Sequence, residues 1–186
     1  PSIQGNKLQI KRAVAAIEKS KKPIICAGGG IFTAGAVNLL REFMQVTDIP
    51  VVNTMMGMSS VPADDPLFYG MIGMHGVKSA NYAINNCDLL ILLGARVGDR
   101  AVTAISRLEG ATVIHIDVDP AEIGKNLAAT IPVVGDVKNI LEQLLECVKN
   151  YDHYDWKQEL SEIKKAQDKP IEEEPEGCVN PKAFIR

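Results

Sequence analysis

Residues 23–30 read Pro-Ile-Ile-Cys-Ala-Gly-Gly-Gly, a short apolar run that ends in three glycines. The run is continuously apolar rather than alternating, which is typical of a strand with both faces covered. The glycines lead into a helical pattern over Thr33–Val46. This order of strand, glycine turn and helix is the repeating unit of a parallel α/β sheet.

The same alternation of elements continues along the chain. Apolar runs bounded by Gly, Pro, Asn or Asp predict strands at Pro23–Ala27, Ile49–Asn53, Leu89–Leu93, Thr112–Asp117 and Ile131–Val134. Apolar residues at helical spacing predict helices at Lys7–Lys19, Thr33–Val46, Val77–Asn85 and Val137–Lys149. We therefore predict a doubly wound, mainly parallel, six-stranded Rossmann-like α/β sheet with helices on both faces.

The character of the sequence changes after residue 150. Residues 1–150 are predicted to form one ligand-binding domain, and residues 151–186 a polar helix over Tyr154–Gln167 followed by an acidic, proline-containing linker. The start has neither an initiator Met nor the basic and apolar regions of a signal peptide. We expect the chain to be a segment of a longer protein.

The composition argues against several classes of function. The chain is 46% hydrophobic and 23% charged, with a formal net charge of −3, which is ordinary for a globular protein. Lys and Arg are scattered among acidic residues, so nucleic acid is not an expected partner. No apolar run reaches the roughly 18 residues that a membrane span needs.

The cysteines and histidines give no sign of a disulfide framework or a metal centre. The four cysteines, at positions 26, 87, 147 and 178, are widely spaced and form no C-x-x-C pair. The three histidines lack metal-ligand spacing to cysteines or carboxylates. We expect a reducing, cytoplasmic setting and no metal site in this chain.

The glycine turn is the first feature that could carry chemistry. Gly28, Gly29 and Gly30 stand where a backbone can approach a phosphate closely, at the start of a helix whose N–H groups favour negative charge. The dinucleotide fingerprint G-x-G-x-x-G fails, because Thr33 takes the place of its last glycine. A tight turn without a ligand is the alternative.

Three further loops follow predicted strands. Gly94–Arg100 contains two arginines that suit a diphosphate, or that pair with local carboxylates on a surface loop. Asp117 could accept hydrogen bonds from sugar hydroxyls, or cap a following turn. Asp136 is a helix N-cap that could also touch an adenosine.

Two segments near the middle of the chain are less specific. His75 lies in the loop Gly73-Met74-His75-Gly76. A lone histidine in a loop is more often a hydrogen-bonded structural residue than a catalyst. The methionines of Asn53–Ser60 could cover a flat aromatic ring, although core filling is their usual use. Because these features fall at carboxyl ends of strands, they indicate an extended, phosphate-containing ligand. No arrangement of residues is typical of a catalytic centre.

Four blocks of sequence resemble the thiamine-diphosphate enzyme family, and specifically acetolactate (acetohydroxyacid) synthase. They are NTMMGMSSVPADDPLFYGMIGMHG at 53–76, ANYAINNCDLLILLGARVGDR at 80–100, HIDVDPAEIGKN at 115–126 and VVGDV at 133–137. The Gly-Met-His-Gly block followed by Ala-Asn-Tyr-Ala is the most distinctive. The resemblance runs from Lys7 to about Val148.

The resemblance implies a place in a larger enzyme. Such subunits have a pyrimidine-binding domain, a middle domain that holds FAD, and a diphosphate-binding domain, and this chain is similar to the middle one. The whole enzyme decarboxylates pyruvate and joins the two-carbon unit to pyruvate or 2-oxobutyrate, in branched-chain amino acid synthesis. FAD performs no net redox in that reaction, and thiamine diphosphate and Mg²⁺ belong to the other domains. The resemblance further implies a cytoplasmic homo-oligomer, with a regulatory subunit as a further partner, and no activity of this segment alone.

The resemblance also implies which residues contact FAD. The glycine turn would lie near the diphosphate or ribityl chain, the methionines beside the flavin, and the aspartates near the adenosine. The full set is Gly28, Gly29, Gly30, Thr54, Met55, Met56, Gly73, Met74, His75, Gly76, Gly94, Ala95, Arg96, Arg100, Asp117, Val118, Asp136 and Val137. The sequence departs from the family pattern at Val97 and Gly98, where many members have Phe and Asp.

Three alternatives remain open from the sequence. The chain could be the middle domain of another thiamine-diphosphate enzyme, of the pyruvate oxidase or glyoxylate carboligase type. It could be a nicotinamide-nucleotide-binding domain, although no catalytic residue stands out beside the predicted site. It could also be a scaffold that binds no ligand and serves only to pack its neighbours.

Overall fold

The computed structural model describes residues 3–98, 108 and 110–167. Within these residues, six parallel strands form one sheet in the order β3-β2-β1-β4-β5-β6. The strands are β1 (Pro23–Ala27), β2 (Val51–Asn53), β3 (Phe68–Met71), β4 (Leu89–Leu93), β5 (Thr112–Asp117) and β6 (Ile131–Val134). The helices, numbered in chain order, are α1 (Lys7–Lys19), α2 (Gly30–Thr33), α3 (Val37–Thr47), α4 (Lys78–Asn86), α5 (Val137–Leu145) and α6 (Tyr154–Lys165).

Helices cover both faces of the sheet, and strands β1 to β5 contribute to two cores, whereas β6 contributes to one. In β1, Ile25 and Ala27 belong to the core under α1, α3 and α5, whereas Ile24 and Cys26 belong to the core under α4 and α6. All five residues of β1 are buried, because successive side chains of a strand point to opposite faces. The predicted doubly wound α/β fold is therefore confirmed, with a sheet that is entirely parallel.

The structure differs from the sequence prediction at several boundaries. The single helix predicted over Thr33–Val46 is two helices, because Gly35 takes a left-handed φ of 61° between α2 and α3. Strand β2 begins at Val51 rather than Ile49, and α5 ends at Leu145 rather than Lys149. The sixth strand is β3, which the apolar pattern did not locate.

Helix α6 packs on the sheet rather than standing apart from it. Trp156 and Leu160 are buried in the core that α4 also covers. The Trp156 indole N–H donates a hydrogen bond of 3.0 Å to the carbonyl oxygen of Pro23. Residues 151–167 thus contact the residues before 150, and the exact end of the ligand-binding domain stays a prediction.

The strand order places a crevice at one edge of the sheet. From β1 the chain continues outward to β2 and β3, whereas from β4 it continues in the opposite direction to β5 and β6. Loops after β1 and β4 therefore diverge to opposite sides, which is the point where doubly wound sheets bind ligands. No helix in the described part of the chain is long and apolar enough to cross a membrane.

Candidate functional site

A cleft of about 980 Å³ lies at the carboxyl ends of the strands. This volume is at the upper end of the range for small-molecule and cofactor sites. Loops after all six strands contribute to it. The lining residues are Gly29, Gly30, Thr33, Ala34, Thr54, Met55, Met56, Met71, Ile72, Gly73, Met74, His75, Gly94, Arg96, Gly98, Asp117, Val118, Asp136 and Val137.

Most of the residues named from sequence meet in this one cleft. Gly29, Arg96 and Asp117 come from loops after three different strands, and all three line it. Gly28, Gly76 and Ala95 do not line it, and Arg100 lies outside the described residues. Sequence reasoning missed five lining residues, namely Thr33, Ala34, Met71, Ile72 and Gly98.

The floor of the cleft is a contact between two glycine loops. The Gly28 N–H donates to the carbonyl oxygen of Leu93 over 2.9 Å, and the Gly30 N–H to that of Gly94 over 3.0 Å. A Cβ on Gly28 would lie 2.2 Å from the Gly94 oxygen. Gly28 therefore allows the loops to pack, whereas Gly29, at the surface of the turn, lines the cleft.

Methionines form much of the cleft's apolar wall. Met55 and Met56 occupy a short 3₁₀ turn after β2, and Met74 lies in the loop after β3. Their side chains are 71%, 74% and 70% exposed, respectively. Because these methionines are exposed, they do not fill the core. Their flexible, polarizable side chains suit a flat aromatic ligand.

The arginine of the β4 loop is available to a ligand. Arg96 is exposed at the cleft surface. None of the ion pairs between described residues involves it. A guanidinium that is free of a carboxylate can form paired hydrogen bonds with phosphate oxygens. The alternative, that this arginine pairs with a local carboxylate, is not seen among the described residues, which do not include Asp99.

Aspartates close the opposite end of the cleft. Asp117 ends β5, is 9% exposed, and accepts a hydrogen bond of 2.9 Å from the Asp119 N–H through Oδ1. Asp136 caps α5, because its side chain accepts a hydrogen bond of 2.9 Å from the Lys138 N–H. Each carboxylate therefore has a structural role, and each retains oxygen lone pairs for a ligand hydroxyl.

One buried histidine lies beneath the rim. His115, on β5, is 1% exposed, and neither ring nitrogen makes a hydrogen bond of normal geometry with a described residue. Burial lowers its pKa below the usual value, although the nearby Asp117 carboxylate raises it in part. His115 is therefore neutral in the folded chain near pH 7. It does not line the cleft.

The two buried thiols and the acidic residues do not suggest another reactive centre in the described part of the chain. Cys26 and Cys87 are buried, and burial raises the pKa of each thiol to about 12. Thiols with such values are inert because the thiolate is the reactive form. Among the described residues, no three His, Cys, Asp or Glu side chains lie close enough together to hold a metal ion.

Comparison with known proteins gives similarities along most of the chain. Residues 10–144 match the family model for the thiamine pyrophosphate enzyme central domain. The chain is 42% identical to a protein of Methanocaldococcus jannaschii named "Probable acetolactate synthase large subunit", over all of this chain and 32% of that protein. It is 37% identical to the acetolactate synthase isozyme 3 large subunit of Escherichia coli, over 90% of this chain and 30% of that subunit. The chain thus spans about a third of the length of these relatives.

Proposed function

The chain belongs to the family of thiamine pyrophosphate enzyme central domains, and from this we propose that it is the FAD-binding central domain of an acetolactate synthase large subunit. The similarity to acetolactate synthase large subunits over nearly all of the chain supports the choice within the family. The whole enzyme would decarboxylate pyruvate and transfer the two-carbon unit to a second 2-oxo acid.

The observation that carries the proposal is the convergence of three kinds of group along one cleft. Glycine backbone at Gly29, the guanidinium of Arg96 and the carboxylate of Asp117 come from separate strands and line one continuous space. A dinucleotide presents a diphosphate, sugar hydroxyls and two ring systems. Backbone N–H groups and a guanidinium suit the diphosphate, and a carboxylate suits the sugar hydroxyls, so these groups are needed side by side along one cleft. An isolated phosphate or a small acid would not require so long a rim.

Each part of the cleft fits one part of FAD. Gly29 and Arg96 would hold the diphosphate, since close backbone approach and a free guanidinium both favour phosphate. Met55, Met56 and Met74 would cover the flavin ring system. The residues at the β5 and β6 ends, Asp117, Val118, Asp136 and Val137, would meet the adenosine.

The chemistry of the reaction would come from outside this chain. When bound, FAD supplies an electron-accepting ring, and the resemblance implies that the main reaction makes no net use of it. Thiamine diphosphate and Mg²⁺ would be held by the flanking pyrimidine- and diphosphate-binding domains. The residues described here would bind and orient FAD and exclude water from it, so the isolated chain is expected to make no acetolactate.

The assembly of the whole enzyme follows from the same proposal. Its first partners would be the two flanking domains of the same polypeptide. We further propose a homo-oligomer in the cytoplasm, with a regulatory subunit as an additional partner. We propose no nucleic-acid partner, since Lys and Arg are scattered among acidic residues along the sequence and the formal net charge is −3.

A comparison of two nucleotides as stabilising ligands of the full-length polypeptide tests the proposal. Thermal unfolding is measured with FAD, with NAD⁺ and without a nucleotide. FAD at about 100 times its dissociation constant should stabilise the folded state by about 2.7 kcal/mol, whereas NAD⁺ should leave the unfolding temperature unchanged. Stabilisation by NAD⁺ alone would favour a nicotinamide-binding domain, and no effect of either would favour a scaffold.

A further inference from the structure

We propose that Asn81, a residue outside the cleft lining, is the positioning residue that fixes the Gly73–Gly76 loop and, through it, the flavin ring. The inference rests on the proposed function, because it assigns Asn81 a role toward FAD. It goes beyond that function because it gives a role in FAD binding to a residue that does not itself contact the ligand. The residue acts only through the backbone of the loop.

The Asn81 side chain forms hydrogen bonds with both the main-chain N–H and the main-chain carbonyl oxygen of one loop residue, Gly73. Its Oδ1 accepts a hydrogen bond from the Gly73 N–H, and its Nδ2 donates one to the Gly73 carbonyl oxygen, each over 2.9 Å. Among side chains in their ordinary protonation state near pH 7, only a primary amide offers a donor and an acceptor side by side in this way. The side chain therefore completes the hydrogen bonding of Gly73 as a neighbouring strand would.

Gly73 is the point at which the loop needs such support. It is buried and has a φ of 105°, in the region that favours glycine. It lies two residues after the end of β3 and precedes Met74 and His75, which line the cleft. A change in the orientation of the Gly73 peptide groups would therefore move the two residues that would lie beside the flavin.

The rest of the loop is fixed by backbone contacts. The Gly76 N–H donates to the Gly73 oxygen, and the Val77 N–H to the Met71 oxygen, each over 2.9 Å. A Cβ on Gly76 would lie 2.2 Å from that Met71 oxygen. Asn81 thus joins this turn to helix α4 through its side chain.

Helix α4 provides a rigid base for the contact. Ala80, Ala83 and Ile84 on this helix are fully buried in one core. Asn81 follows Ala80 directly, and its main-chain N–H donates to the Val77 oxygen over 3.1 Å. A side chain that is anchored in this way preorganises a binding loop, and preorganisation increases affinity without adding a ligand contact.

The first experiment compares two alanine variants of the full-length polypeptide. Asn81→Ala removes both hydrogen bonds to Gly73. Asn86→Ala is the matched control, because Asn86 lies on the same helix, is exposed and bonds only to Tyr82 of that helix among the described residues. We expect Asn81→Ala to raise the FAD dissociation constant about tenfold and to change the visible circular dichroism of the bound flavin. Asn86→Ala should leave both at their wild-type values.

A second variant separates positioning from a general loss of stability. In Asn81→Asp the introduced carboxylate accepts from the Gly73 N–H but cannot donate to its oxygen. When protonated, the carboxyl group has both a donor and an acceptor, like the amide it replaces. Partial burial and the facing carbonyl oxygen should raise its pKa above the usual value of about 3.9, against the opposite effect of the Gly73 N–H. The FAD dissociation constant of this variant, divided by that of the wild type, should therefore fall as the pH is lowered from about 8 to about 5.

The outcomes distinguish this inference from the function on which it rests. Equal FAD affinity and equal flavin dichroism in Asn81→Ala and Asn86→Ala would overturn it. So would a ratio for Asn81→Asp that does not change with pH, because a purely structural defect has no reason to recover on protonation. Failure of the wild-type polypeptide to bind FAD would overturn the proposed function first, and the inference with it.

Discussion

The N–H of Gly30 donates a hydrogen bond to the carbonyl oxygen of Gly94 over 3.0 Å, and a Cβ on either residue would lie 2.7 Å from the Cα of the other. This contact joins the ends of β1 and β4, the neighbouring strands from which the chain diverges. It fixes the spacing of two loops that both line the cleft.

Replacement of Gly94 should therefore damage both the fold and the cleft. Gly94 has a φ of 53°, so an Ala there is strained as well as crowded by Gly30. We expect Gly94→Ala to lower the free energy of unfolding of the chain by about 2 to 4 kcal/mol, measured by urea unfolding. Gly98→Ala is the control, since no heavy atom of a described residue, apart from its chain neighbours, lies within 4 Å of its Cβ position. Equal effects of the two variants would contradict the packing argument.

Removal of the cleft arginine should weaken FAD binding without unfolding the chain. Arg96 is exposed and lies at the cleft. Hydrogen bonds to charged groups contribute about 1.5 to 3 kcal/mol, so Arg96→Ala should raise the FAD dissociation constant of the full-length polypeptide by about tenfold to a hundredfold. Arg12→Ala is the control, because Arg12 is an exposed arginine at a separate cleft lined by α1. An unchanged affinity in Arg96→Ala would remove the β4 loop from the site.

The tryptophan of α6 should contribute strongly to stability. Trp156 is 1% exposed, donates a hydrogen bond to the Pro23 oxygen, and lies 4.9 Å from the Lys22 ammonium. We expect Trp156→Ala to lower the free energy of unfolding by about 3 to 5 kcal/mol, in the usual range for a buried aromatic side chain. Tyr154→Ala, at a side chain that is 60% exposed, should cost less than about 0.5 kcal/mol. A small effect of Trp156→Ala would show that α6 is not part of the folded unit.

Acid should destabilise the chain through a buried histidine. His153 is 4% exposed, and burial lowers its pKa below the usual 6.5, although Asp48 raises it in part. The unfolded chain therefore binds this proton at a higher pH than the folded chain does. The free energy of unfolding should be unaffected by this group above about pH 6.5 and should decrease as the pH falls from there through the lowered pKa.

The variant His153→Gln tests this pH dependence. Urea unfolding of the variant and of the wild type is compared at about pH 7.5 and about pH 5. The loss of stability between the two conditions should be smaller in the variant, because one buried proton acceptor has been removed. If the two proteins lose the same amount, His153 does not contribute to the acid sensitivity.

The sequence predicts the strands with unbroken apolar runs, and these include both central strands and the edge strand β6 (Ile131–Val134). Strand β4, LLILL, is buried along its whole length and therefore reads as such a run. Strand β3 is only half buried, and Gly70 interrupts its apolar residues, so it was missed. The break between α2 and α3 is equally hard to predict, since it depends on the left-handed backbone of Gly35.

The same difference applies to the cleft. Gly29 and Arg96 lie within three residues of the ends of β1 and β4, and Asp117 is the last residue of β5. Their shared position at one edge of the sheet is therefore predictable from the order of elements. Met71 and Ile72 line the cleft because they end β3 and follow it, and they were missed together with that strand. Thr33 and Ala34 were missed because the sequence placed them inside a longer helix. Gly28 was predicted to lie at the site but does not line the cleft, because it packs against Gly94 of the neighbouring loop.

A crystal structure of the full-length polypeptide grown with FAD tests the central claim most directly. We predict that the dinucleotide lies along the cleft described here, with its diphosphate beside Gly29 and Arg96, its flavin ring beside Met74, and its adenosine beside Asp136. FAD bound elsewhere in the polypeptide, with this cleft filled only by solvent or by another domain, would contradict the account.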